Sequence, residues 1–325
     1  MCIRDREHAF DNSADPNVIE MLDEQDAALK GAQGTLLRAV SVTDGGKYAE
    51  YNIASLPVWD GMVVANGRLF ISMENGAVQS FAGANHPTGI QPVMQLSAGV
   101  GVSATRIRVG AWQDQAGAND AVQTVDDDRP SLIGSAINGM PAIGFDGAGQ
   151  HLDVADSADI NVGGPYSGKT LIVVFKTSSD IGNRQVIWEQ GGAVRGLNFY
   201  LDAGHLHMTG WNLAETEWGP ETLNIPVWPS SVYVATLILD AAAGTLEGSV
   251  NGLGIGAAGG VGQLHKHSDN CALGHVEGAT MFHDGTTAGP ANFSGLIADF
   301  RQYNQALPDA DCRLIEGILM SKYGI

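Results

Sequence analysis

The chain has 325 residues, 43 of them glycine, and its 36 acidic against 17 basic side chains give a formal charge of −19. That length suggests about two domains, with enough chain for a sizeable core in the larger one. So acidic a surface repels phosphate backbones and anionic headgroups, which argues against nucleic acid and membrane surfaces as partners, and no apolar run of about 18 residues exists to insert into a membrane.

Frequent Gly, Asn and Asp turn signals favour many short strands, so the expected class is all-β. Residues 1–6, Met1-Cys2-Ile3-Arg4-Asp5-Arg6, resemble a translated adapter remnant and are set aside from the fold. Asp15-Pro16 opens a helix with Val18, Met21, Leu22, Ala28 and Leu29 apolar, ending at Gly31. Strands are expected over 35–42 and 47–53 across Asp44-Gly45-Gly46. Three more follow over 59–81, joined by the Asn66-Gly67 and Glu74-Asn75-Gly76 turns. Gly34-Thr35-Leu36-Leu37, Tyr48-Ala49-Glu50-Tyr51, the stretch from Leu56 to Met62 and Asn66-Gly67-Arg68-Leu69 resemble the closing part of a quinoprotein-type (PQQ-like) β-propeller, over residues 7–82. One blade cannot bury both faces of its sheet alone, so the resemblance implies missing upstream blades and a chain truncated at its N-terminus. Cofactor-bearing members of that family hold a quinone and a metal with groups from several blades, and no PQQ site is identifiable in this stretch. Residues 83–103, with His86-Pro87 and Gln91-Pro92, read as an interdomain linker.

Beyond it, apolar runs at 170–176 and 233–239 read as buried strands, alternating ones at 185–189 and 197–201 as half-buried strands, and Asn251-Gly252 as a hairpin turn. A last helix starts at Pro308, places Leu314, Ile315, Ile318 and Leu319 on one face and stops at Gly324. Trp112-Gln113-Asp114-Gln115-Ala116-Gly117, Pro141-Ala142-Ile143-Gly144-Phe145-Asp146-Gly147 and Phe293-Ser294-Gly295-Leu296-Ile297-Ala298-Asp299-Phe300 occur in order. They resemble the opening and close of a laminin-G-like domain, a concanavalin A-like lectin/glucanase jelly-roll β-sandwich, over residues 104–325. The resemblance implies an extracellular binding module for a glycan or protein, secreted, on the cell surface or periplasmic, with Ca²⁺ at its rim.

For such a rim ion, Asp114 and Asp146 are the candidate ligands from a larger set of loop aspartates. The competing reading makes them Asx-turn formers. Trp211 and Trp218 are the candidate ligand-stacking aromatics, and Trp228 is as well explained by plugging the sandwich edge. The rival function is a glycan hydrolase or lyase, which needs two carboxylates facing one cleft, about 5 Å apart in retaining enzymes. The nearest approaches are Glu215, Glu217 and Glu221, on an expected loop, and Asp153 with Asp156. A third reading makes the sandwich a structural appendage of a propeller enzyme. His205-x-His207 and His265-x-His267, with His275 and His283, read as surface histidines rather than zinc ligands, and Cys271 and Cys312 as buried thiols or a bridge.

Overall fold

The structure, a computed structural model, describes residues 16–30, 35–40, 47–53, 55–65, 68–82, 90–215, 217–269, 271–287 and 291–325. The expected features at residues 1–6, Gly31, Asp44-Gly45-Gly46 and Asn66-Gly67, and the linker residues 83–89, lie outside these. The chain divides into two compact units, residues 1–86 and 87–325.

In the first unit, helix α1 (Pro16–Leu29) is followed by an antiparallel pair, β1 (Thr35–Val40) with β2 (Lys47–Ile53). A three-stranded meander comes next: β3 (Pro57–Ala65), β4 (Arg68–Met73) and β5 (Val78–Ala82). Ile53, Ile71 and Met73 are buried together, with Leu37 and Leu69 against them. By contrast Met62, Val63, Val64 and Val78 are exposed. The elements follow the turn chemistry, as in the Glu74-Asn75-Gly76 turn, where Gly76 takes φ +82°.

The second unit begins earlier than the linker reading expects. β6 (Met94–Ser97) buries Met94 and Leu96 completely and pairs with the penultimate element, so residues 90–103 belong to the sandwich. Pro92 and Gly99 shorten this strand to four residues, which hides its Met-Gln-Leu-Ser alternation. There follow β7 (Val102–Thr105), β8 (Arg108–Trp112), β9 (Ala121–Val122), β10 (Ser131–Ile137), β11 (Met140–Asp146), β12 (Leu152–Val154), β13 (Gly168–Thr177), β14 (Gln185–Gly191), β15 (Arg195–Asp202) and β16 (His205–Asn212). The chain closes with β17 (Trp218–Pro226), β18 (Val232–Asp240), β19 (Thr245–Val250), β20 (Leu253–Gly259), β21 (Cys271–Leu273), β22 (Ser294–Tyr303) and helix α2 (Asp309–Tyr323).

These strands form two packed layers, as in a jelly-roll sandwich. One runs β20-β19-β18-β13-β22, with β6 and β11 side by side on the far edge of β22 and β10 beyond β11. The other runs β9-β12-β21-β14-β15-β16-β17, and β8 joins the two through β9 and β10. Leu171, Val173 and Phe175 of β13 meet Trp188, Leu197 and Phe199 of the opposite layer, and Trp188 packs on Phe300 with ring centroids 4.2 Å apart. The alternate side chains Ile172 and Val174 face outward into a second cluster covered by α2. That explains the unbroken apolar run of β13: both of its faces are buried.

α2 docks as expected but rotated. Its buried residues are Cys312, Ile315, Glu316, Leu319 and Tyr323, so Glu316 stands where Leu314 and Ile318 were expected. Glu316 Oε1 accepts the hydroxyls of Thr236 and Ser249. Gly324 ends the helix at φ +69°. Cys271 and Cys312 are both free thiols and lie in different clusters, the first between the layers and the second under α2, so the bridge is excluded. No described helix is long and apolar enough to cross a membrane.

Candidate functional site

The outer face of the second layer carries polar side chains in register. Asp153 pairs across to Ala272, Ala272 to Glu189, Glu189 to Asn198, Asn198 to Thr209 and Thr209 to Thr222. Such a row on a solvated face would be a ready hydrogen-bonding surface. Here the segment after β21 folds back over it. Asn198 donates from Nδ2 to the Met281 carbonyl at 2.9 Å and to Thr280 Oγ1 at 3.0 Å, and the Glu277 amide donates to Glu189 Oε1 at 3.1 Å. Arg184 fastens the segment by reaching Asp202 at 2.6 Å and Asp284 at 2.9 Å. Hence β14 is buried along its whole length, although its sequence alternates.

This covering corrects the aromatic expectation. Trp211 is fully buried: its Nε1 donates to the Gly192 carbonyl at 2.9 Å and its ring fills space that only a glycine at 196 leaves open. Trp218 is 4% exposed, packs in the core between the layers and donates to the Gln263 carbonyl at 3.1 Å. Trp228, for which a rim position and an edge plug are both open from sequence, is 73% exposed. Gly and Pro neighbours mark turns but do not tell which face of an adjoining strand is covered.

The carboxylates and histidines are also redistributed. Asp114 Oδ1 accepts the amides of Gln95 and Ala116, each at 2.8 Å, and Oδ2 those of Asn119, so its oxygens are engaged in fixing a loop. Asp146 Oδ1 accepts the Ala148 amide at 2.8 Å, an Asx turn. Among the described residues neither belongs to a group of three or more side chains of metal-ligating type. Glu215 and Glu217 sit on the expected loop with φ of +57° and +43°, and Glu215 pairs with Arg195, so they do not form a strand-spaced pair facing one cleft. The surface-histidine expectation fails for His207 and His267, which are 7% and 9% exposed. His207 is stacked on Tyr200 and His283. Burial, with the neighbouring His283 adding to it, lowers His207 to about 4, and burial lowers His267 to about 4 as well. Among the described residues neither His207 Nδ1 nor His267 Nε2 has a hydrogen-bond partner.

These two depressed values set an acid limit to stability. In the unfolded chain both imidazoles bind protons near pH 6.5, so the unfolded state holds more protons between about pH 4 and 6.5 and stability falls as pH drops through that window. Buried Glu189, whose carboxyl burial raises well above its ordinary value, works the other way above about pH 4.5. Taken alone, these two histidines lower the melting temperature on acidification from pH 6.5 to 4, against the opposing effect of Glu189. The fall should be shallower in His267→Asn, as followed by circular dichroism; an unchanged slope in the variant would contradict these assignments.

An open groove of about 500 Å³ lies at the end of the covered face, lined by Val162, 192–195 and 266–269. The β14–β15 turn supplies one wall. Asp269 lies directly over Gly192, where any Cβ would collide with its carboxylate. Arg195, held by Glu215 at one end, also donates to the Lys266 carbonyl at 3.3 Å, tying the two walls together. His267 also lines the groove, with its Nε2 buried. Sequence reading paired His267 with His265 on a strand and saw no groove, because Arg195 and Lys266 lie 71 positions apart.

A second grouping is absent from the sequence reading as a set. His151, Asp153 and His275 converge at the edge of the polar row, and their rings and carboxylate touch: His275 Nε2 is 3.3 Å from Asp153 Oδ1 and the two rings stack at 3.6 Å. Burial would raise the Asp153 carboxyl, but the neighbouring His151 and His275 outweigh it and hold it at about 2. Asp153 and His275 were each noted for other roles; the missed signal was His151-x-Asp153, a spacing that puts both side chains on one face of a strand.

No known protein family and no curated protein matches this sequence. Solved structures do match its fold. The binding domain of botulinum neurotoxin serotype D superposes with a TM-score of 0.51 at 12% identity, covering 72% of this chain and 52% of that one. The receptor binding domain of the botulinum neurotoxin C/D mosaic serotype gives 0.51 at 12%, covering 71% and 52%. The binding domain of Paraclostridial Mosquitocidal Protein 1 likewise gives 0.51 at 12%, covering 71% and 52%. This chain therefore spans about half the length of those domains. At that identity the likeness establishes the architecture, and the chain contains a jelly-roll β-sandwich of the kind found in them.

Proposed function

We propose that residues 87–325 are a non-catalytic binding module whose ligand, a glycan free or carried on an extracellular protein, seats in the groove formed by 192–195 and 266–269. The observation that carries this reading is the open groove of about 500 Å³, whose two walls are tied together by Arg195 and carry polar and charged side chains. Arg195, Lys266, Ser268 and Asp269 add donors and an acceptor suited to sugar hydroxyls. The fold supports the same reading, since the solved structures that share it are named as binding domains. The laminin-G-like assignment, a secreted, cell-surface or periplasmic location and a rim Ca²⁺ belong to this proposal. So does the reading of residues 7–82 as the closing part of a quinoprotein-type propeller, supported by the exposed Met62, Val63, Val64 and Val78, which would need neighbouring blades.

A glycan-array screen of the chain tests it, repeated with the Lys266→Ala/Asp269→Ala double variant. Both side chains are exposed, so folding is spared. Binding to one glycan class that falls about tenfold or more in the double variant is expected, from the loss of charge-assisted hydrogen bonds. A blank array, or binding indifferent to the variant, would contradict the proposal.

A further inference from the structure

The cluster at the start of β12 is built like a transition-metal site. His151 and Asp153 flank Leu152, which is fully buried between the layers, and β12 pairs with β21 so that Asp153 lies opposite Ala272 and His275 follows three positions later. Both donor groups are thereby fixed by the sheet. The ligand atoms of His151, Asp153 and His275 all lie within 4.8 Å of one another. The closer pairs are His275 Nε2 to Asp153 Oδ1 at 3.3 Å and His151 Nε2 to Asp153 Oδ2 at 3.6 Å. Glu277 brings a fourth group, with Oε2 at 3.6 Å from His275 Nε2. A tetrahedral ion with bonds of about 2.0–2.1 Å spaces its ligand atoms about 3.3–3.4 Å apart, so the three closer pairs need little adjustment.

The surroundings also fit. Gln123 Oε1 accepts the Val125 amide, which turns the Gln123 Nε2 amide toward His151 Nε2 at 2.7 Å and makes that ring nitrogen an acceptor. The opposite nitrogen, Nδ1, then donates to the Gly149 carbonyl at 2.7 Å. The Gly149 carbonyl thus holds Nδ1–H as in metal-bound histidines, and an ion at the site would take the Nε2 lone pair in place of the Gln123 amide. Two imidazoles with two carboxylates form a donor set for Zn²⁺ or a neighbouring first-row ion, whereas Ca²⁺ takes six or more oxygens.

We propose that His151, Asp153, His275 and Glu277 bind one Zn²⁺-class ion, separate from the groove. The whole chain, stripped with chelator, is titrated with Co²⁺. The expected result is one Co²⁺ per chain with the visible absorption of a four-coordinate ion, displaced by Zn²⁺ and not by Ca²⁺. His151→Ala and His275→Ala should each weaken binding by roughly 100-fold or more, and His205→Ala should leave it unchanged. Cooperative melting in chelator confirms that each variant is folded, and Asp153→Asn substitutes for one that is not. Failure to bind stoichiometrically, or binding retained in the folded ligand variants, overturns the site.

Discussion

Trp211→Ala is expected to destabilise the second unit by about 3–5 kcal/mol, while Trp228→Ala changes stability by no more than about 0.5 kcal/mol. Trp211 has no exposed surface, packs against Gly196 and gives its only N–H to the Gly192 carbonyl. Truncating it opens a cavity beside the β14–β15 turn and orphans that carbonyl. Trp228 is 73% exposed, so its removal takes little apolar area out of the fold. Urea unfolding of the two variants separates the cases. Were Trp211 a ligand-stacking rim residue, its alanine variant would be nearly as stable as the parent and would fail only in binding. Because Gly192 borders the groove, Trp211→Ala should also weaken binding, and that loss would be secondary to the unfolding.

Met94→Ala combined with Leu96→Ala should cost about 4–8 kcal/mol, the sum of two large-to-small changes at fully buried positions. Leu96 pairs in register with Phe300, and Phe300 lies against Trp188, so the two side chains of β6 contribute to the centre of the sandwich. If residues 83–103 were only a linker, the double variant would melt like the parent. The stability of a chain cut at residue 104 should be affected in the same direction, since it lacks the whole strand.

What the sequence made legible follows physical rule. β13 and β18 read directly from unbroken apolar runs, because strands buried on both faces need apolar side chains throughout. Asn251 and Gly252 take φ of +51° and +77°, the two left-handed positions that an Asn-Gly hairpin turn requires. Pro308 and Gly324 bounded the last helix for reasons of backbone geometry. Burial of the second layer was not legible: β14 alternates like a half-solvated strand, and only the return of the segment at 275–287 over Glu189 and Asn198 covers its polar face. The sites were hidden for the same reason. Asp153 and His275 are 122 positions apart and meet only because β12 pairs with β21, a pairing that no local pattern announces.

The central claim is the place where ligand binds, and amide hydrogen exchange with and without a glycan captured on the array tests it most directly. The account predicts ligand-dependent protection concentrated at residues 192–195 and 266–269. Protection confined to the exposed Trp228 turn, with the groove exchanging as in the free chain, would contradict it.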